Sequence, residues 1–320
     1  MHSSPILVTA GLALVLLGLS GCGGGGGPVS PSTGPAPSPP PSPSPTVTPV
    51  KPSAPAAGAW QPAYATGPIA TAMKADGVEC FEVTRSPTFV GCYRSPIEGR
   101  SGELELRYVL DESGALRRAA LEVDASSSGT TDAVFAKSLA LVAQATGPEA
   151  AKITDASQAL AVNGKQEVAT GWGIVKLEHP SQYSRDATAM AYGVVPVPER
   201  SSFTNQGPTI GAPLVPLGWT CSPQPGRFEC TSGAAKIKAF PASGSGVTSF
   251  ECQLGKVDKN SPTFKACEAA LVALAGDRAD RFRAALEFAV DGRERKFIPV
   301  DGLNLSVSTT TVVIDRLELP

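Results

Sequence analysis

Side chains able to hold a metal, a proton in flight or a covalent intermediate are sparse in this chain, and their spacing decides what they can do. There are two histidines, His2 and His179. His2 precedes a long apolar run, which leaves His179 as the imidazole available to the rest of the chain. Multi-histidine metal sites are thereby excluded, and any Ser-His-Asp or Cys-His device has to run through His179. It sits in Leu177-Glu178-His179-Pro180, where a strand is expected to end, and reads as a lone surface histidine. Glu103 and Glu105 share one face of an expected strand, where a solvated edge fits better than a glycosidase pair. Asp111 and Glu112 belong to a hairpin turn, and Asp277 and Arg281 have the spacing of an i,i+4 ion pair. The tightest basic cluster, Arg293, Arg295 and Lys296, reads as a solvated hairpin, with an anionic-ligand site as the alternative. Trp172 and Trp219 are expected in the core. No P-loop, G-x-G-x-x-G turn, H-E-x-x-H, G-x-S-x-G or EF-hand loop occurs. The expectation is a non-enzymatic protein with no catalytic residue, no cofactor and no metal.

Composition narrows the partners. The formal net charge is -2 and the basic residues are scattered, so nucleic acid is not an expected partner. Aromatic residues make up 6%, too few for an obvious stacking platform. At the N-terminus, Ile6 to Leu19 is almost wholly apolar, the length of a signal h-region and short of the roughly 20 residues a membrane span needs. Small residues follow at Ser20 and Gly21, then Cys22.

Leu19-Ser20-Gly21-Cys22, closing an apolar run, resembles the lipobox of bacterial lipoprotein precursors. The resemblance covers the first 22 residues. It implies a signal peptide over 1–21, diacylglyceryl attachment to the Cys22 sulfur, and acylation (palmitate and its kind) of the new N-terminus. The implied address is the extracytoplasmic face of the bacterial cell membrane, with the membrane as partner through the lipid on Cys22. Two or more acyl chains anchor stably where one is marginal. Gly23 after Cys22 further implies outer-membrane sorting in a host that has one.

Residues 22–58 read as a tether. Gly23 to Gly27 form a swivel, and Pro28 to Ala57 alternates Pro with Ser, Thr, Ala and Val. Such a stretch buries too little apolar area to offset its ordering entropy and is expected to be disordered, with polyproline-II character. Thirty residues of it reach about 90 Å when extended.

Removing Cys22 from the seven cysteines leaves Cys80, Cys92, Cys221, Cys230, Cys252 and Cys267, an even count that reads as three disulfides in an exported chain. Their C-x11-C, C-x8-C and C-x14-C spacings do not match zinc patterns. The sequence also repeats itself. Gly77-Val78-Glu79-Cys80 and Gly218-Trp219-Thr220-Cys221 each precede a turn and a second cysteine, Cys92 or Cys230, which implies two stapled hairpins, Cys80–Cys92 and Cys221–Cys230. A second hairpin follows in each copy, then a helix beginning at Thr131-Asp132 or Ser261-Pro262. Ala140-Leu141-Val142-Ala143 recurs as Ala270-Leu271-Val272-Ala273, and Asn163-Gly164 and Asp291-Gly292 mark matching turns. A Cys252–Cys267 bridge would pin the helix to the sheet in the second copy.

The fold class expected is α+β: two tandem similar domains, residues 59–195 and 210–320 joined by a linker at 196–209, each an antiparallel sheet with helices on one face. The expected role is a lipid-anchored, extracytoplasmic binding or scaffolding module for a protein or peptide ligand, presented away from the membrane. Two alternatives remain at this level. One is a surface-displayed inhibitor of a secreted enzyme, since duplicated sheet-and-helix units resemble, in outline only, the β-lactamase inhibitory proteins. The other is a wall-glycan hydrolase working through two carboxylates alone.

Overall fold

The computed structural model describes residues 59–316 apart from Ser86, 98–101, 195–196, 198–200, 242–245 and Gly292. The signal, Cys22 and the tether lie outside the described residues. Among those described, the chain forms two seven-stranded antiparallel sheets with helices on one face of each. The first unit runs α1 (Pro68–Ala75), β1 (Glu79–Arg85), β2 (Thr88–Arg94), β3 (Glu103–Leu110), β4 (Leu116–Asp124), α2 (Ser128–Ala145), α3 (Ala150–Ala159), β5 (Lys165–Ala169), β6 (Gly173–Ser181) and β7 (Ser184–Ala191). The second runs α4 (Gly211–Leu214), β8 (Thr220–Gln224), β9 (Arg227–Ser232), β10 (Ala235–Pro241), β11 (Val247–Gln253), α5 (Pro262–Ala275), α6 (Ala279–Ala289), β12 (Arg295–Val300), β13 (Leu303–Val307) and β14 (Thr311–Asp315).

The two sheets share one topology. The first has the order β1-β2-β3-β4-β7-β6-β5, and the second, read from its other edge, β8-β9-β10-β11-β14-β13-β12. The registers coincide as well. One row of directly opposed residues in the first sheet is Cys80, Cys92, Leu106, Leu121, Ala187, Leu177, Gln166. Its counterpart in the second is Cys221, Cys230, Ile237, Cys252, Val312, Val307, Arg295. A one-residue slip would send every side chain of a strand to the other face, so this agreement across seven strands is a strong sign of duplication.

Disulfides head both rows. Cys80–Cys92 and Cys221–Cys230 cross-link the outermost hairpin of each sheet, and Cys252–Cys267 ties β11 to α5. The helices cover the face on which these rows lie. Ser127 caps α2, its hydroxyl accepting from the Thr130 amide, so the helix begins three residues ahead of the expected Thr131. Ser261 caps α5 with Pro262 behind it, and Gly276 at φ +60° closes it. The first core gathers Met73, Leu106, Leu121, Phe135, Leu139 and Ile153. The second gathers Phe250, Leu271, Phe282 and Leu305, and it also takes in Phe203, from the segment expected to be a linker, and Trp60 and Phe81, from the N-terminal side of the chain. Burial of aromatic groups from one unit in the core of the other welds the pair.

Candidate functional site

The units meet where β12 packs against β1 and β2. β5, its counterpart in the first sheet, pairs regularly with β6, whereas β12 carries one extra residue between Arg295 and Ile298. At this bulge Phe297 has φ +63°, a left-handed conformation that costs a non-glycine residue about 1–2 kcal/mol. The bulge aims the Phe297 ring at the face of β2, among Val83, Phe89, Tyr93 and Val109. It fits because residue 91 is glycine: a Cβ there would overlap the ring.

Charged groups lock the contact. Arg295, 2% exposed, donates from Nε to Glu79 at 2.9 Å and from Nη1 to the Phe288 carbonyl at 2.6 Å, and its Nη1 lies 2.5 Å from Asp291. Its guanidinium stacks over the Phe288 ring, 4.3 Å from the centroid. Arg293 reaches the other Glu79 oxygen at 2.9 Å. Lys296 sits between Glu103 and Glu105, at 3.2 and 3.1 Å, and over the Tyr93 ring. Burial alone would lower the Lys296 pKa, but Glu105 and Glu103 outweigh it and the net direction is up. Glu294 accepts from Ser95 at 2.8 Å and from the Thr309 amide at 3.2 Å.

This corrects two expectations. Arg293, Arg295 and Lys296 are neither a solvated hairpin nor an anionic-ligand site: they form the clamp between the two units. Glu103 and Glu105 are the first unit's half of that clamp, not a solvated edge. His179, Arg281 and Trp172 also differ in detail, whereas Trp219 lies in the core as expected. His179 is buried at 5% exposure, with its Nδ1 3.2 Å from the Leu160 carbonyl, because it continues the helix-facing side of β6 after Val175 and Leu177. Arg281 turns away from Asp277 to Asp301, at 2.7 Å. Trp219 is buried in the second core, and Trp172 is partly buried with its indole N–H on the Leu116 carbonyl.

Beside the clamp, the helix-free face of the first sheet forms a groove. Its inner end is a 160 Å³ cavity walled by Glu105 and Arg107 on one side and by Lys296, Phe297, Asn304, Ser306, Asp315 and Arg316 on the other. Further along the same face lies a depression of 480 Å³ over β4, β7 and β6. A row of carboxylates joins the two: Glu105, Glu122, Asp186 and Glu178 stand directly opposite one another on β3, β4, β7 and β6, with Lys165 next on β5. Glu105 and Glu122 share Arg107, at 3.1 and 2.9 Å, and Glu178 meets Lys165 at 2.6 Å. Asp186 has no ion pair among the described residues. Burial, then the charges of Glu122, Asp124 and Glu178, push its carboxyl up from 3.8 to about 6, with Lys165 opposing.

That shift fixes a pH dependence. The folded state holds the Asp186 proton more tightly than the unfolded state, so stability is greatest below the unfolded value of 3.8 and falls as pH rises toward about 6. Asp186→Asn is therefore expected to stabilise the protein at pH 7.5 by about 1 kcal/mol, after discounting for partial exposure. The gain should vanish at pH 3.5. Denaturant titrations at the two pH values check it, and an equal gain at both would refute the cause.

The register that aligns this row has no local signature, so sequence reasoning missed it; Glu105 was its visible trace. Comparison with known proteins finds no matching family model, no matching curated protein and no matching solved structure.

Proposed function

We propose that the chain is a lipid-anchored, extracytoplasmic binding or scaffolding protein, without enzymatic activity, that presents a paired α+β unit to a protein or peptide ligand. The address rests on the lipobox-like Leu19–Cys22 and the Gly- and Pro-rich stretch behind it. The observation that carries the binding role is the groove on the helix-free face of the first sheet. Helices cover the other face and β12 covers one end, while β4, β7 and β6 stay open, with Met190 47% exposed at the margin. Of the neighbouring ionisable groups, Glu79, Glu103, Arg293 and Arg295 hold the two units together, and Lys296, which lines the inner end of the groove, is tied to Glu103 and Glu105.

Two measurements test the reading. Cys22→Ser should abolish incorporation of labelled palmitate and release the protein from the membrane fraction; retention of label would remove the anchor. A photocrosslinker at Thr188, on the open face, should capture a partner in cell envelopes that one at Ala151, on α3, does not. Equal capture from both positions would remove the groove from the reading. A captured hydrolase that loses activity would specify the inhibitor variant of the same role.

A further inference from the structure

We propose that the groove on the open face of the first sheet binds a basic polypeptide segment of its partner, whose Lys or Arg side chain settles over the row Glu122–Asp186–Glu178. This rests on the reading of that face as the binding face and names the chemistry it selects.

Like charges placed directly opposite one another in a sheet are destabilising. Here four carboxylates stand in consecutive register, Glu105, Glu122, Asp186 and Glu178. The fold does not require them. The equivalent positions in the second copy are Lys236, Gln253 and Thr311, in register on β10, β11 and β14, and Ser308, just beyond the end of β13, none of them acidic. The duplication thus supplies its own control: one copy carries the electrostatic cost and the other does not. Arg107 offsets part of that cost for Glu105 and Glu122, and Lys165 for Glu178, while Asp186 at the centre of the row has no ion pair among the described residues; an uncompensated departure of this kind is expected at a functional site.

Two groups in the groove lack something definite. Asp186 lacks a cation. Asn304, only 7% exposed at the inner end, donates its amide N–H to Asp315 at 3.2 Å and to Ser306 at 3.4 Å, while its oxygen is buried without a donor. A polypeptide brings both missing parts, a cationic side chain and backbone N–H groups. A single metal ion fits less well. The row spans roughly 15 Å at the spacing of neighbouring strands, and among the described residues no acidic group converges into a metal-holding cluster. The depression over the row holds 480 Å³, room for side chains rather than an ion, and Ala120 and Thr188 keep its floor low.

The groups facing Asp186 are Glu122 and Asp124 from β4, Glu178 and Lys176 from β6, and Lys165 from β5. Acid neutralises Asp186 at about 6, so binding of a cation should weaken as pH falls through that value.

The test is equilibrium binding to the full mature chain in detergent, at pH 7.5 and low salt. The probes are a fluorescein-labelled octapeptide of alternating Lys and Thr and its Glu and Thr counterpart. The Lys peptide should bind at least tenfold more tightly. Glu122→Gln/Asp186→Asn should weaken it at least tenfold, whereas Glu112→Gln/Asp277→Asn, which removes two exposed charges elsewhere, should change it less than twofold. Affinity of the unmodified chain should fall several-fold between pH 7.5 and 5.5, and this fall should be absent in the groove variant. Thermal melts establish that both variants are folded. Equal binding of the two peptides, or equal loss in the two variants, would overturn the proposal. So would displacement of the Lys peptide by spermidine or calcium at equal concentration, which would assign the groove to a small cation. Capture from Thr188 without a preference for the Lys peptide would sink this inference and leave the binding role standing; a preference without capture would do the reverse.

Discussion

Alanine at position 295 is expected to destabilise the protein by about 3–5 kcal/mol, the range for breaking a buried, hydrogen-bonded ion pair from one side. Arg295 is 2% exposed and touches Glu79 of the first sheet, Asp291, the Phe288 carbonyl and the Phe288 ring. Its removal leaves a carbonyl and part of a carboxylate facing a void, and it uncovers the ring that Trp60 and Phe81 pack against. Lysine is expected to recover little, because it lacks the planar fork that serves Glu79 and the Phe288 carbonyl together. Arg293→Ala is the control. That side chain meets the same carboxylate but is 53% exposed, and its loss should cost less than about 1 kcal/mol. Urea titration of the three variants decides the matter; equal midpoints for Arg293→Ala and Arg295→Ala would show that burial is not what gives the clamp its strength.

Valine at position 91 is the second large effect, expected to cost about 3 kcal/mol, the upper part of the range for overpacking. In an ordinary strand such a change favours β structure. At position 91 the added carbons enter the volume of the Phe297 ring, and Phe297 is held from behind by its bulge. Phe297→Ala should cost a comparable amount by emptying the same contact. The pair should be strongly non-additive: Gly91→Ala combined with Phe297→Ala should destabilise by at least 1 kcal/mol less than the two single changes summed. Simple additivity in this cycle would dissolve the knob-and-hole account.

Much of the architecture was legible. Turn residues and the glycine-then-cysteine spacing exposed the duplication, because they act locally and leave local marks; the recurring Ala-Leu-Val-Ala segment did not, since it buries Val142 and Ala143 in α2 but Ala270 and Leu271 in α5. The alternation of Leu104, Leu106 and Tyr108 against Glu103, Glu105 and Arg107 gave the faces of β3. What stayed hidden depends on partners far along the chain. Glu79 and Arg295 are separated by 216 positions, and nothing beside either announces the other. His179 reads as a surface residue because Glu178 and Pro180 flank it, yet strand parity places it inside. The carboxylate row needs the register of four strands before its members become neighbours. Phe297 sits within Lys296-Phe297-Ile298-Pro299, which shows no sign of a bulge until β13 is laid beside it.

The bulge has one consequence for how copies of the chain behave toward each other. A knob on one repeat and a socket on the next form a head-to-tail contact, and such contacts propagate without limit when every repeat carries both parts. Here the parts occur once each. The strand equivalent to β12 in the first repeat is regular and has Gln166 where the second has Arg295. The position equivalent to Gly91 in the second repeat is Glu229, a long charged side chain where a ring would have to enter. Two repeats therefore satisfy each other and leave no matching end, so molecules crowded side by side do not string into filaments through this joint.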